Sequence, residues 1–347
     1  MDSREIKIIR RAAFDIGSGS TKLQCCDCEV FFDPATARFV CTVIKEIYGI
    51  ERPVQFGADL MRSSDGALSE EIQERGLRVF LELKAEAERL GATETAAIAT
   101  EVFRRASNGP SYLDRIRETG IPVTMISQCI EAELGYQSVQ CMLRAIPDYR
   151  PADCVWDSGG SSFQITRMDG EVESFMGSLG SSVSNYILIK EVQGRPLVPG
   201  GSPNPVSKQQ VQELISKLTA RLSIAPEWLL QKGIVATSAG SNSIFRLCCI
   251  VLSDILNSGE ESKQISSEPR VSSFSFEHAC QALDSCLNCS DEQLLKYASY
   301  AHADGPNLIV PKLTLLVSVM KHANIKMIET VHCIGSCVGL MCDDRFW

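Results

Sequence analysis

The sequence predicts an α/β protein made of two similar lobes, each a mixed sheet flanked by helices. Two observations carry this. The stretches "FDIGSGST" (residues 14–21) and "WDSGGSSF" (156–163) are the same kind of element, an apolar approach, an aspartate and a Gly/Ser tip, set 142 residues apart. Each opens a run in which short strand-like segments give way to amphipathic helices. A length of 347 residues suits two domains of ~150–200 residues. One unit repeated once at domain size implies duplication, not a solenoid.

The elements follow in order. Residues 8–32 read as strand, Gly-rich turn, strand, and "RFVCTVIKEIYGI" as a further strand. Residues 68–90 read as a helix whose apolar face is Leu68, Ile72, Leu77, Phe80, Leu81 and Leu83. Ser69 is placed to cap it, Glu70 and Glu71 suit its N-terminus, and Gly91 ends it. Residues 96–100 form a short buried strand, "SYLDRIRETG" a helix, "IPVTMIS" a strand and "IEAELGYQSVQCMLRAI" a helix. The pattern then restarts. "ADCVWDSGGSSFQITRMDGEVESFMG" reads as three strands joined by a Gly/Ser turn and an Asp169-Gly170 turn. An amphipathic helix near 207–223, a strand–loop–helix at 233–252 and a helix–strand–turn–helix at 311–341 complete it. Residues 193–208 and 257–273, rich in Pro, Gly, Ser and charge, are surface loops. The lobes are expected to be residues 1–140 and 141–347, with the divide in the stretch 138–152.

Composition narrows the function classes. A net charge of −9 argues against a nucleic-acid partner but permits an anionic substrate in a local basic cleft. No apolar run approaches the ~20 residues that span a bilayer, and residues 1–17 lack the apolar core of a secretory leader. No membrane partner is expected, and the expected location is the cytoplasm. The fifteen cysteines fit a reducing compartment as buried thiols, and Cys286-x-x-Cys289 lacks the second half of a zinc site.

The twin loops carry the chemistry. Gly17 and Gly19 let backbone N–H groups approach a ligand, as do Gly159 and Gly160. Ser18 and Ser20, with Ser161 and Ser162, add hydroxyls. Successive N–H groups at such turns make an anion cradle. Asp15 and Asp157 stand where a strand ends, and a carboxylate beside phosphate oxygens makes sense with a divalent cation between them. Residues 236–241, with Ser238 and Gly240, offer a third small-residue loop between a strand and a helix. Neither a dinucleotide fingerprint at a strand-to-helix turn nor a P-loop is present.

At this point the residues resemble the acetate/sugar kinase–Hsp70–actin superfamily, and within it the exopolyphosphatase/guanosine-pentaphosphatase (Ppx/GppA) family. "AAFDIGSGS" is similar to that family's D-x-G-S-N-S. "IATEVFRRASNG", "VTMISQCIEAELGYQSV" and "VWDSGGSSFQI" resemble its later motifs in the same order, and "LSEEIQERGL" its first helix. The resemblance implies two ribonuclease-H-like lobes of the actin/Hsp70 type with the active site in the interlobe cleft. It implies hydrolysis of a terminal phosphoanhydride, with Mg²⁺ or Mn²⁺ as cofactor and polyphosphate or a guanosine polyphosphate as the bound partner. Glu131 aligns with the catalytic base, Asp15 and Asp157 with the acidic residues that handle the metal together with Glu131, and Arg104 with a phosphate-binding arginine. Only one of Arg104 and Arg105 can face inward. The resemblance is also compatible with a homodimer.

Several positions depart from the family pattern. Gln164 stands where a second glutamate is usual, Ile130 and Gln128 replace the first Glu and the Gly of the helix motif, Gly19 replaces Asn, and Glu133 replaces Arg. The C-terminal R-E-G segment survives as Cys337-Val338-Gly339. These departures keep a second reading open, a phospholigand-binding sensor of the same fold with little catalysis. A third is an ATP-dependent kinase or chaperone, which needs an adenosine pocket near residues 236–246.

Overall fold

The computed structural model describes residues 5–144, 146, 148, 150–238, 240, 243–257, 272–300 and 305–347. The chain divides into two units. The first comprises residues 1–151 with 333–347, and the second residues 152–332. The divide, expected in the stretch 138–152 and drawn at 140/141, falls at 151/152. The last fifteen residues, expected in the second lobe, pack with the first. Their apolar side chains Ile334, Cys337, Leu340 and Met341 join a core whose other members come from residues 13–134.

The first unit is a five-stranded sheet in the order β3-β2-β1-β4-β5, formed by β1 (Lys7–Ile16), β2 (Ser20–Asp33), β3 (Arg38–Pro53), β4 (Glu94–Ala99) and β5 (Val123–Met125). β1 to β3 are an antiparallel meander, while β4 and β5 run parallel to β1. Both faces are covered, and the alternation along β1 shows how. Ala12, Phe14 and Ile16 face one core, which helices Phe56–Arg62, Glu70–Arg89, Glu101–Arg105 and Gly109–Arg117 close. Ala13 faces the other, closed by Leu134 of helix Gln128–Arg144 and by helix Cys337–Cys342.

Helix Glu70–Arg89 forms where the 3.6-residue pattern placed it. The Ser69 side chain accepts the Ile72 N–H, and Gly91 takes φ +76° just past the end. Leu68, Ile72, Phe80 and Leu83 are buried, but Leu81 is exposed, because it stands about 100° round the helix from Phe80. Gly76 takes its place in the buried stripe, where a Cβ would sit 2.3 Å from Phe56 Cζ. The next strand is β4, Glu94–Ala99, and Thr100, expected as its last residue, stands instead at the head of the following helix.

The second unit repeats the plan. Its sheet runs β10-β11-β9-β6-β7-β8, from β6 (Val155–Ser158), β7 (Phe163–Asp169), β8 (Glu171–Gly177), β9 (Ile234–Ser238), β10 (Ser273–Ser275) and β11 (Met327–Val331). Again a three-stranded meander is followed by two strands parallel to its first, and β10 adds an antiparallel edge. Trp156 packs edge-on against Phe163 and Phe245 at the centre. Helix Ile309–His322 is buried continuously from Ile309 to Met320, so it lacks a polar face there. The loop expected at 257–273 lies largely outside the described residues. Among the described residues no helix is long and apolar enough to cross a membrane.

Candidate active site

In the first unit β1, β4 and β5 are parallel, so the segments that follow them leave the sheet at one edge. In such sheets the carboxyl ends of the strands are where ligands bind. Asp15 stands near the end of β1, Arg104 in the helix after β4, and Glu131 just inside the helix after β5. The fold therefore brings these three predicted residues to one edge. It also pairs two of them, with Arg104 Nη2 3.5 Å from Glu131 Oε2. Arg104 donates as well to the Ile126 carbonyl, which anchors the guanidinium to the end of β5. Arg105 is half exposed and pairs with Glu101, so Arg104 is the inward arginine. Glu131 is buried.

Asp15 is buried and lies across the hairpin from Lys22, whose Nζ is 3.1 Å from Asp15 Oδ2. The same oxygen accepts the backbone N–H of Ser336 at 3.2 Å. Gly335 makes that approach possible. It has φ +56°, and a Cβ there would sit 2.2 Å from Asp15 Oδ2. Lys22, Gly335 and Ser336 were not singled out from the sequence. Lys22 was readable from the hairpin register, since a tip centred between Ser18 and Gly19 puts residue 22 opposite residue 15. Gly335 and Ser336 gave no such signal, because Ser336 is 321 residues from Asp15.

The first tip is closed by its own backbone. The Gly17 N–H donates to the Ser20 carbonyl at 2.9 Å, so it is not part of an anion cradle. The Ser18 and Gly19 carbonyls accept the N–H groups of Gly57 and Val54. Ser18 is buried, and the Ser20 hydroxyl lies 2.6 Å from Glu51 Oε1, to which it donates. Neither tip glycine has a positive φ. A Cβ at Gly19 would meet nothing within 4 Å, so that face of the loop is open to an approaching group.

The second unit closes its tip with the same backbone bond. The Gly159 N–H donates to the Ser162 carbonyl at 2.9 Å, and the Gly160 carbonyl accepts from Ser182 at the start of helix Ser181–Ile187, as Ser18 accepts from Gly57. Gly180 allows the helix in, since a Cβ there would lie 2.3 Å from the Gly160 carbonyl carbon. Asp157 stands opposite Gln164, the register that sets Asp15 opposite Lys22. Gln164 is buried and donates to the Ser162 hydroxyl at 3.4 Å, and Ser161 is buried beside it. The segment after β9 leaves at the carboxyl end of a strand parallel to β6. The Gly240 carbonyl accepts the Ser243 N–H there. The Ser238 side chain, Ala239 and Ser241 lie outside the described residues.

Two parallel-ended sheets with the same aspartate-bearing tip are a fold with known counterparts. Residues 40–181 match the Ppx/GppA phosphatase family. That Ppx/GppA segment contains Arg104, Glu131 and the whole second tip, while the first tip precedes it. The Ppx/GppA protein of Aquifex aeolicus superposes with a TM-score of 0.63 over 97% of both chains at 18% identity. An exopolyphosphatase from Cytophaga hutchinsonii superposes at 0.66 over 96% of both, at 16% identity. These two share the fold. An uncharacterized protein of Streptomyces coelicolor is 24% identical over 250 residues, 69% of this chain and 66% of that relative's own length. The family resemblance read from the motifs is thereby found again in the family match and in the fold.

Proposed function

We propose that this chain hydrolyses the terminal phosphoanhydride of inorganic polyphosphate or of a guanosine penta- or polyphosphate. The observation that carries the reading is the Arg104–Glu131 pair at the edge where the Asp15 loop also ends. Glu131 is the base. It takes a proton from a water molecule that attacks the terminal phosphorus, the bridging P–O bond breaks, and the shortened chain leaves with the electron pair. Arg104 binds phosphate oxygens, and its exchange from Glu131 to substrate frees the carboxylate to accept that proton. The second unit repeats the kit at Asp157 and at Gly160 to Ser162, read as a further phosphate cradle in which the Gly159 N–H, held by the Ser162 carbonyl, takes no part, with Gly240 as a supporting contact.

The donor set fits Mg²⁺ or Mn²⁺ in one particular way. Among the described residues no three carboxylate, histidine or cysteine side chains gather to hold an ion. Magnesium bound through one or two carboxylates, with phosphates and water completing its shell, needs no such cage. Asp15 and Glu131 are the carboxylates the first unit offers to such a shell, and Asp157 is the one the second unit offers. When bound, the ion offsets the charge of the phosphate chain. The reading puts the activity in the cytoplasm, where the fifteen cysteines stay reduced.

The alternative is a phospholigand sensor. Gln164 opposite Asp157 and Lys22 opposite Asp15 favour it, because each aspartate faces a partner that cannot take up a proton from water. Phosphate release from polyphosphate and from guanosine pentaphosphate, with Mg²⁺, separates the two. Release by the wild type and its loss in Glu131→Gln support the hydrolase. No release by wild type or by Gln164→Glu, with polyphosphate still bound, overturns it in favour of the sensor.

A further inference from the structure

The first unit holds a row of thiols that the proposed hydrolysis does not use. Cys41 on β3 is half-buried and packs against the core that includes Cys28, on a strand that touches helix Cys337–Cys342. Cys342 in turn lies 3.9 Å, Sγ to Sγ, from Cys141 near the end of helix Gln128–Arg144. Cys41 and Arg11 also line a cavity of about 660 Å³ whose walls include Phe32, Phe39 and Trp347. A small oxidant therefore has a route to Cys41, while Cys28 is fully buried.

The charges suit a reactive thiol. Hydrogen bonds from Cys28 and then Cys342, against the cost of burial, together with the Arg11 guanidinium, hold the Cys41 thiol far below its usual range. A hydrogen bond from Cys342 also lowers Cys141, and donation to both neighbours pushes the Cys342 thiol up. Cys342 thus stands between the other two thiols of the row. Three half-buried thiols in one row, with a basic group at the cavity end, are what a peroxide-sensing site requires.

We propose that Cys41, Cys342 and Cys141 form a hydroperoxide-sensitive site that ends as a Cys141–Cys342 disulfide. The Cys41 sulfur attacks a peroxide oxygen, the O–O bond breaks, and hydroxide leaves as water after taking up a proton. Cys41 is left as a sulfenic acid. The Cys342 sulfur attacks it, the S–O bond breaks, and a second water departs with the Cys342 proton. Cys141 then displaces the Cys41 thiolate from Cys342. Two thiols are oxidised and one peroxide becomes two waters. The sulfurs of Cys141 and Cys342 must close from 3.9 Å to about 2.05 Å, which is within the reach of side-chain rotation.

The bond joins two elements that support the candidate site. Helix Gln128–Arg144 carries Glu131, and the segment that ends in Cys342 gives Asp15 its Ser336 N–H. These elements already touch, since the Gly339 N–H donates to the Ser138 hydroxyl at 2.8 Å.

The test treats the reduced full chain with hydrogen peroxide, blocks free thiols with an alkylating agent and maps disulfide-linked peptides by mass spectrometry. The expected result is a Cys141–Cys342 link. In Cys141→Ser the link moves to Cys41–Cys342. In Cys342→Ser it is lost, and Cys41 is trapped by dimedone as its sulfenic acid. Cys41→Ser, which removes the thiol that meets the oxidant, forms the link more slowly. A wild-type chain without a disulfide at Cys342, a Cys28–Cys41 link in its place, or an undiminished rate in Cys41→Ser overturns the proposal.

Discussion

Arg104 Nη2 and Glu131 Oε2 are 3.5 Å apart, on helices that follow neighbouring parallel strands. The guanidinium offsets part of the cost of burying that carboxylate until something else claims the arginine. The two residues are therefore expected to fail differently. Glu131→Gln keeps the shape but removes the proton acceptor, and should cut the turnover rate by roughly 10²–10⁴-fold with little change in KM. Arg104→Ala should raise KM by about ten- to a hundredfold, the worth of a lost charge-assisted hydrogen bond. Steady-state phosphate release checks both, and equal effects on kcat and KM in the two variants would contradict the assignment.

Gly335 is the residue with least freedom near Asp15. Gly335→Ala puts a methyl group where Asp15 Oδ2 lies and forces a positive φ on alanine. Thermal unfolding should show a loss of about 1–3 kcal/mol, and activity should fall as Asp15 is displaced. Gly19→Ala, at an open position, is the control and should unfold like the wild type.

Gln164→Glu places a carboxylate at a buried position facing Asp157. Without divalent ions the two like charges should destabilise the chain by about 1–3 kcal/mol, seen as a lower unfolding midpoint in chelator. Mg²⁺ with polyphosphate should restore the midpoint and raise phosphate release above the wild-type rate. An unchanged midpoint in chelator would mean that the new side chain escapes to water.

Asp254 provides a pH-dependent test in the second unit. Burial works to raise its carboxyl, but the Lys296 ammonium and the Tyr297 hydroxyl, each 2.7 Å from Oδ2, outweigh this and hold it below the ordinary range. A carboxyl lowered on folding stabilises above its unfolded pKa, and the contribution fades as pH falls through the folded value. Denaturant titrations should therefore show wild type and Asp254→Asn separated by about 1–2 kcal/mol at pH 7 and converging below pH ~3. A gap that persists at pH ~2 would place the effect in packing.

The elements that local chemistry dictates were legible in the sequence. Ser69 and Gly91 delimit their helix as caps do, and both Gly/Ser tips form the hairpins expected of them. Leu81 was misread because residues 80 and 81 cannot both lie on a narrow stripe, and apolar character alone does not say which one faces in. The placement of Asp15 at a strand end was readable from its Gly/Ser tip, while Arg104 and Glu131 were singled out through the family resemblance and the fold sets them at the same edge. What surrounds Asp15 was not readable. Its backbone donor, Ser336, comes from a segment whose sequence offers only small and apolar residues, and whose role exists only once a distant strand is beside it. The resemblance had already singled out Arg104 over Arg105, and the Ile126 carbonyl shows what holds its guanidinium in place.

The return of residues 333–347 to the first unit has a bearing on biosynthesis. Domains commonly fold in the order in which the ribosome delivers them. Here the second unit is one unbroken stretch and can fold as it emerges. The first must wait, with one face of its sheet covered only by helix Gln128–Arg144, until helix Cys337–Cys342 is made. Residues 1–151 are thus made before the second unit and completed after it, and a chain cut after residue 332 would leave the first unit's core without Ile334, Cys337, Leu340 and Met341 and Asp15 without its Ser336 donor.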